Sequence, residues 1–285
     1  MRHPILVSLC LAGTLGLSAC GENSANAVDR KLAGVNVVDE TNLNDVMLTA
    51  ADPGEAVNYF RRASTAQPDR LDLQRGLAIS LVRAKRHTEA VPAWEKVVAD
   101  KEATHEDRVA LADALIRAGE WDRADTVLDG IPPTHETYRR YRLEAMIADS
   151  NEEWKKADSF YETAVGLTTQ PGGVMNNWGY SKLSRGDFAG AERLFTEAIR
   201  QDQSLFTAKN NLVMARGAQG DYAMPVIPMT QEERAQLLHT MGLAAVKRGD
   251  VEIGKGMFRE AIETHPQHFE AAARSLKALE SSLVN

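Results

Sequence analysis

The sequence predicts an all-α protein, built as a solenoid of antiparallel helix pairs, and three observations support this prediction. The 285 residues include 40 alanines, while Phe, Tyr and Trp together make 6% of the chain. Alanine favours helices, whereas strands favour aromatic and β-branched residues. Small and bulky residues recur about every 34 positions, which is typical of helical repeats. Glycine-containing turns and prolines separate the recurring segments, as they do at helix ends.

The N-terminus has the pattern of an export signal. A positive start at Arg2 precedes an apolar stretch over residues 4–17. That stretch is shorter than the roughly 20 apolar residues of a transmembrane helix. The stretch ends in Leu17-Ser18-Ala19-Cys20, which resembles the lipobox of bacterial lipoproteins. The resemblance implies a lipoprotein signal peptide over residues 1–19, cleavage before Cys20, and acylation of its thiol and of the new amino terminus.

The alternative for this region is an ordinary cleaved signal in which Cys20 has no role. Residues 20–38 are polar and are predicted to form a lipidated flexible tether. The resemblance to enteric lipoproteins, with Gly21 after the cysteine, implies a lipid anchor in the outer membrane facing the periplasm. Cys10 and Cys20 are the two cysteines of the chain, so a disulfide framework and a cysteine-rich zinc site are excluded.

Two columns of small residues run through the rest of the chain. In one column a small residue is followed four positions later by a bulky one and seven positions later by another small or aliphatic one. This first column consists of six triplets, namely Ala56-Phe60-Ala63, Ala90-Trp94-Val97, Ala124-Leu128-Ile131, Ala157-Tyr161-Ala164, Ala191-Phe195-Ala198 and Gly254-Phe258-Ala261. The second column contains Ala78, Ala112, Ala145, Gly179, Val213 and Gly242. The two columns keep the same phase, so each repeat is predicted to be a pair of helices with a turn at Gly119, Gly186, Gly220 or Gly249.

These columns resemble the tetratricopeptide repeat (TPR). The best match is Trp178-Gly179, Gly186-Asp187-Phe188, Ala191, Phe195 and Ala198. The resemblance implies a right-handed superhelical solenoid over residues 39–266, with about six to seven repeats, followed by a C-terminal capping helix over residues 267–285. Aromatic residues on the columns, among them Trp121, Tyr161 and Phe188, are expected to fill the core.

Two repeats depart from the pattern. The first has Asp52-Pro53 where a glycine turn is expected, so its first helix is not supported by the sequence. The sixth has Pro225 and Pro228 where a second helix should stand, and both cannot lie inside a regular helix. Residues 222–229 are therefore predicted to be a short or irregular helix.

The sequence contains no pattern that indicates catalysis. It has no phosphate-binding loop of the Gly-x4-Gly-Lys-Ser/Thr type and no Gly-x-Ser-x-Gly nucleophile motif. The closely spaced His265 and His268 lack the helical spacing of a zinc protease and are interpreted as solvated loop residues. The net charge of −7 disfavours a nucleic-acid partner. We therefore expect no enzyme activity, no cofactor, no metal and no nucleic-acid partner.

A partner-binding groove is predicted on the concave face, which the TPR resemblance assigns to the first helix of each repeat. The predicted groove residues are Arg75, Arg142, Asn176, Asn177, Tyr180, Asn210, Asn211 and His239. Further groove positions are Ile79, Val109, Asp113, Met146, Met214 and Leu243. The column of Asn177 and Asn211 either hydrogen-bonds the backbone of a bound peptide or packs the repeats together. Exposed arginines, namely Arg75, Arg83, Arg117 and Arg142, either receive carboxylates of a partner or are simply solvated.

The combination of a lipobox, a TPR array and no catalytic motif resembles the TadD lipoprotein family of Flp/Tad pilus secretion systems, and also the TPR pilotins of type IV pili. The similarity is strongest over residues 176–195 and 210–222. It implies a non-catalytic protein-binding scaffold on the bacterial envelope that assists assembly of a pilus or its outer-membrane secretin. The alternative is a lipoprotein adaptor for murein hydrolases or outer-membrane assembly factors.

Overall fold

The structure, a computed structural model, describes residues 42–281, and all regular structure in this range is helical. The helices are α1 (42–49), α2 (Pro53–Ala66), α3 (Leu71–Arg83), α4 (His87–Val98), α5 (His105–Arg117), α6 (Trp121–Asp129), α7 (Tyr138–Ser150), α8 (Trp154–Gly166), α9 (Gly172–Ser184), α10 (Phe188–Gln201), α11 (Phe206–Gln219), α12 (Gln231–Arg248), α13 (Val251–Thr264) and α14 (Glu270–Ser281). The predicted signal peptide, Cys20 and the tether lie outside the described residues. By internal contacts the chain divides into residues 1–93 and 94–285, and each part is described by itself.

In the N-terminal part, the first helix of the first repeat is present, although the sequence did not support it. This helix, α1, ends just before the Asp52-Pro53 step. Arg83 on α3 donates to the carbonyl oxygens of Met47 (2.9 Å) and Ala51 (3.0 Å), which satisfies carbonyls that a helix end leaves free. Asp52 then caps α2 by accepting from the backbone N–H groups that follow it. A side chain 32 to 36 residues away thus supplies what the local sequence lacks.

In the C-terminal part, consecutive helices pack as pairs: α5 with α6, α7 with α8, α9 with α10, and α12 with α13. Helix α11 packs between α10 and α12, and α14 packs on α13. We call α5, α7, α9, α11 and α12 the first helices. Of these, α5, α7, α9 and α11 also contact one another in order, and α11 contacts α12, so the first helices form a continuous layer.

The predicted columns of small and bulky residues form the core of these pairs. Ala157, Ala191, Tyr161 and Phe195 are at most 1% exposed. In the pair α9/α10, a Cβ placed on Gly179 would lie only 2.6 Å from a ring carbon of Phe195. Small residues on one helix therefore make room for the bulky residue of its partner, as the repeat pattern predicts.

The turns that follow α5, α9, α11 and α12 occupy one backbone position that recurs with the repeat. Gly119, Gly186, Gly220 and Gly249 all have positive φ, between 81° and 95°. Lys85 and Glu152 occupy the corresponding place after α3 and α7, 34 residues before Gly119 and Gly186, and both have φ of 58°. The left-handed conformation is thus required by the turn itself, even where no glycine is available.

Between α11 and α12 the chain forms no helix, where the sequence predicted a short or irregular one. Residues 220–230 instead run without regular secondary structure. Ile227 packs against the core of α10 and α11, and Met224 and Met229 pack around Val213 and Met241. This segment covers the apolar face that the missing second helix would have covered, so α11 and α12 become direct neighbours.

Candidate functional site

Two open cavities lie side by side on the layer of first helices. One, of about 470 Å³, is lined mainly by α7, α9 and α11, and we call it the acidic cavity because Asp149 is the charged residue that lines it. The other, of about 810 Å³, is lined mainly by α9, α11 and α12, and we call it the basic cavity because Lys247 and Arg248 line it. Ser184 lines both cavities, so the two are adjacent, and we call them together the groove.

An apolar stripe runs along this groove. It consists of Met146, Tyr180, Met214 and Leu243, which occupy one column of the repeat on α7, α9, α11 and α12. Tyr180 is 56% exposed, Met214 37% and Leu243 48%. Met146 and Tyr180 line the acidic cavity, and Met214 and Leu243 line the basic cavity. Large apolar side chains that remain exposed in a concave surface are typical of binding sites.

Three of the predicted groove asparagines hold the first helices together. The Asn211 side chain is 7% exposed, and its amide nitrogen donates to the side-chain oxygen of Asn176 at 3.0 Å. In the next pair of first helices, the Thr240 hydroxyl donates to the side-chain oxygen of Asn210 at 2.7 Å. The same diagonal bond therefore links α9 to α11 and α11 to α12. At Asn211 the geometry favours the packing interpretation of the asparagine column.

Asn177 differs from Asn211, although both belong to one column. Asn177 is half-buried, lines the acidic cavity, and its amide nitrogen lies 3.5 Å from the sulfur of Met146. A thioether sulfur is a weak acceptor. Asn177 thus keeps hydrogen-bonding capacity toward a ligand in the cavity, whereas Asn211 uses its amide on a neighbouring helix.

The remaining predicted groove residues make contacts within the chain. Arg142 donates to Asp113 at 3.1 Å, and Arg117 donates to the same carboxylate at 2.7 Å, so the carboxylate partner of these arginines is internal. Arg75 lies on α3 in the N-terminal part and is half-buried. Val109, expected to face the groove, is fully buried and belongs to the core.

His239 packs beneath the terminal helix. Its Nε2 atom lies 3.0 Å from the hydroxyl of Ser275 on α14, and its ring contacts the rings of Phe258 and Phe269. Burial lowers the pKa of His239. The residue therefore joins α12 to α14 and does not line either of the two cavities.

Asp149 forms part of the floor of the acidic cavity. One carboxylate oxygen accepts from the Ser181 hydroxyl at 2.6 Å and the other from the Tyr161 hydroxyl at 2.9 Å. Burial raises the pKa of Asp149, because it penalises the charged form, although both hydrogen bonds act in the opposite direction. Burial and the neighbouring carboxylate likewise raise the pKa of Tyr161, which stays a neutral donor.

The basic cavity is bordered by two cationic side chains with different roles. Arg248 donates to the backbone oxygen of Ala218 at 2.8 Å and lies 3.9 Å from the Asp250 carboxylate. Lys247 is exposed and, within residues 42–281, forms neither a hydrogen bond nor an ion pair. Lys247 is therefore the cation at this end of the groove that is available to a ligand.

Sequence reasoning missed several residues that line the groove. Asp149, Ser184 and Lys247 were not predicted as site residues, and Trp121 and Phe188 were expected in the core but are half-buried and line the cavities. A usable signal was present, because Ser150, Ser184, Ala218 and Lys247 occupy one column at intervals of 34, 34 and 29 residues. This column lies one helical turn after the apolar stripe, and helix residues four apart share a face.

Residues 42–281 contain neither a metal-binding cluster nor a membrane-spanning helix. The structure contains no group of three or more His, Cys, Asp or Glu side chains arranged to hold a metal ion in this range. None of the helices described is long and apolar enough to cross a membrane.

A family model for the tetratricopeptide repeat matches residues 47–105. No curated protein sequence matches the chain. The family match covers two of the predicted repeats, and it confirms that these residues have the TPR pattern.

Solved TPR structures resemble most of the chain at low sequence identity. A tetratricopeptide repeat protein from Parabacteroides merdae is 13% identical with a TM-score of 0.56, and the match covers 84% of this chain and 96% of that one. A chain of the APC/C hetero-tetramer Cut9-Hcn1 is 13% identical with a TM-score of 0.59, over 83% of this chain and 48% of that one. A chain of the human IFIT1 dimer with m7Gppp-AAAA is 14% identical with a TM-score of 0.60, and the match covers 81% of this chain and 59% of that one.

These similarities establish the fold. The chain spans about half the length of the Cut9-Hcn1 chain and about three fifths of IFIT1. The predicted fold class, an all-α solenoid of the TPR type, is confirmed. Stacked repeats of this kind form extended concave surfaces that can bind other molecules.

Proposed function

We propose that this protein is a non-catalytic scaffold that binds a segment of a partner protein in the groove formed by the two cavities. The observation that carries the proposal is the apolar stripe, of which Tyr180, Met214 and Leu243 are all more than a third exposed. These side chains stand on helices fixed to one another by the Asn211–Asn176 and Thr240–Asn210 bonds. A preformed apolar groove loses little conformational entropy when a ligand binds, which favours affinity.

We further propose that the scaffold is attached to the bacterial envelope by a lipid on Cys20, at the outer membrane and facing the periplasm. The support is the Leu17-Ser18-Ala19-Cys20 motif and the polar residues 21–38 that follow it. The resemblance to TadD lipoproteins then favours secretin or pilus assembly components as partners. This role joins a membrane anchor to a protein-binding groove on one chain.

The groove is tested by making the stripe polar. Met214→Gln with Leu243→Gln removes two exposed apolar contacts, and we expect binding of an identified pilus or secretin component to weaken about tenfold or more, because each buried apolar side chain contributes roughly 1 kcal/mol or above. Ile253→Gln on α13 is the matched control, since Ile253 is 44% exposed but lies on a second helix. Equal binding by the wild type, the double variant and the control would place the interaction elsewhere.

The pilus role is tested separately by deleting the gene. We expect loss of pili or of secretin multimers, restored by the wild-type gene but not by the Met214→Gln/Leu243→Gln form. Intact pili and multimers in the deletion strain would contradict the pilus role. A changed pattern of murein cleavage in that strain would instead support the adaptor role for murein hydrolases.

A further inference from the structure

We infer that the groove selects a segment with a cationic side chain at one end, apolar side chains in the middle and a carboxylate at the other end. The cation would lie at Asp149 and the carboxylate at Lys247. This inference rests on the proposed function, because it specifies the chemistry of the ligand that the groove binds. It follows from three observations: the opposite charges of the two cavities, the absence of ion pairs to Asp149 and Lys247 within residues 42–281, and the apolar stripe between them.

At the acidic end, Asp149 is the charged residue among those that line the cavity. Its two oxygens accept hydrogen bonds from neutral hydroxyls, those of Ser181 and Tyr161. Neither arginine nearby forms an ion pair with Asp149: Arg142 binds Asp113, and Arg185 binds Asp158, although the charge of Arg185 also acts to lower the pKa of Asp149. A carboxylate oxygen has capacity for more than one hydrogen bond. A partly buried carboxylate without an ion-pair partner gains from the approach of a ligand cation.

At the basic end the charged side chains that line the cavity are cationic. No Asp or Glu is among the described residues that line the basic cavity, while Lys247 extends from the rim with no internal ion pair. Arg248 adds positive charge, although its guanidinium also binds a backbone carbonyl. Leu183, Phe188, Met214 and Leu243 supply the apolar wall of the same cavity. A ligand carboxylate at Lys247 would therefore follow directly on apolar side chains.

The two charges are separated by a length that a short peptide spans. Asp149 is on α7 and Lys247 on α12, with α9 and α11 between them in the layer of first helices. Packed helices lie about 9 Å apart, so three steps give roughly 27 Å. An extended chain covers about 3.3 Å per residue and crosses this distance in about eight residues. The stripe provides one apolar contact on each of the four helices along this path.

The experiment measures binding of four labelled peptides to the full-length protein in detergent, at low salt, by fluorescence anisotropy. Each peptide has about 12 residues with the same centre of alternating Leu or Val and Ser, long enough for the span estimated above. The ends are Lys-Lys and Glu-Glu, Lys-Lys at both ends, Glu-Glu at both ends, or Gln-Gln at both ends. We expect the peptide with one basic and one acidic end to bind about 2- to 5-fold more tightly than each of the others, as partly exposed charge pairs allow.

A charge reversal then identifies the residue that selects the acidic end. In Lys247→Glu, we expect the preference to change to the peptide with Lys-Lys at both ends. The control is Lys155→Glu on α8, an exposed lysine on a second helix that makes the same change in net charge. Asp149→Asn should remove the preference for a basic end, and its melting temperature is measured because Asp149 also holds Ser181 and Tyr161. If the Asp149→Asn protein is unstable, the Lys247→Glu variant still tests the inference.

The outcomes separate this inference from the proposed function. If all four peptides bind with equal affinity, the charge selection is wrong while binding in the groove stands. If none binds, including the neutral peptide, the groove does not bind such segments and both proposals are wrong. If Lys155→Glu changes the preference as much as Lys247→Glu, the effect is due to net charge and the inference is overturned.

Discussion

At Gly179 the two helices of a pair approach so closely that one methyl group has no room. A Cβ there would lie 2.6 Å from a ring carbon of Phe195, which is itself fully buried. We expect Gly179→Ala to reduce the free energy of unfolding by about 1–3 kcal/mol, because overpacking forces the helices apart. This loss exceeds the gain of roughly 1 kcal/mol that alanine brings to a helix. Thermal and urea unfolding measure the change.

The matched control is Gly173→Ala on the same helix. A Cβ at Gly173 meets nothing within 4 Å, so the helix propensity of alanine should raise stability there by up to about 1 kcal/mol. Opposite signs for the two glycines would support close packing at Gly179. A gain at both positions would show that the α9/α10 interface is looser than the structure describes.

Asp158 connects α8 with α9 and should make stability depend on acid pH. Burial alone would raise the pKa of Asp158, but hydrogen bonds from Trp178 (2.6 Å), Arg185 (2.5 Å) and Lys182 (3.1 Å) hold that pKa below its ordinary value. The unfolded chain then binds the proton at higher pH than the folded chain. The stabilisation is therefore present above the unfolded value of about 3.9 and is lost as the pH falls through the lowered pKa.

We expect Asp158→Asn to lower the free energy of unfolding near neutral pH by about 1–2 kcal/mol, as the loss of charged hydrogen bonds does. Against the wild type, this deficit should shrink as the pH falls below about 4. Glu162→Gln on the same helix is the control, because Glu162 is exposed and should show a small effect. A deficit that stays constant from neutral to acid pH would rule out the charge of Asp158 as its cause.

The left-handed backbone conformation of the turn between two paired helices can be tested by exchanging glycine and glutamate. Glu152 has φ of 58° in the turn between α7 and α8, a conformation that glycine adopts at less cost. We expect Glu152→Gly to raise the free energy of unfolding by up to about 1 kcal/mol. The reverse change in the equivalent turn, Gly186→Glu, should lower it by a similar amount, because Gly186 has φ of 84°.

Thermal unfolding of both variants checks this prediction. Glu152 is exposed, so the loss of its side chain removes little packing. A lower melting temperature for Glu152→Gly would mean that the entropy glycine adds to the unfolded chain outweighs the relief of the left-handed conformation.

Most of the helix pairs were predictable from the sequence, because the packing that defines them recurs with the repeat. Ala191 and Phe195 are buried where their columns predict, and the glycine turns have positive φ. Helix α1 was missed, since the Arg83 bonds that complete its end come from α3 and leave no local signal. The prolines of residues 220–230 explain why this segment forms no regular helix. They do not predict that Ile227 packs on α10 and α11.

The sequence predicted on which helices the residues of the candidate site lie, but it did not predict their hydrogen-bond partners. The columns located Tyr180, Asn177 and Asn211 on first helices, yet the direction of each amide depends on the neighbouring helix. Asn211 donates to Asn176, which is 35 residues away, and the repeat of 34 residues conceals this diagonal pairing. Asp149 was missed because its column holds no charge in the other repeats.

At the scale of the whole molecule, the proposed function requires that one chain combine a groove with an anchor. Exposed apolar side chains such as Tyr180 and Leu243 line the groove. The anchor is predicted from the motif that ends in Cys20. Attachment to a surface confines the groove near that surface, which raises the effective concentration of partners assembled there.

The anchor is tested by Cys20→Ala. The wild type should sediment with membranes and incorporate labelled fatty acid, because several acyl chains together hold a protein firmly in a bilayer. The Ala variant should lose the label and appear in the soluble fraction, because it lacks the thiol to which the lipid would be attached. Ser18→Ala, which keeps a small residue before the cysteine, is the control and should behave as the wild type does. Recovery of the Ala variant of Cys20 in the membrane pellet at the wild-type level would contradict the lipid anchor. An ordinary signal that remained uncleaved would then be the simplest explanation for that recovery, and N-terminal sequencing would identify it.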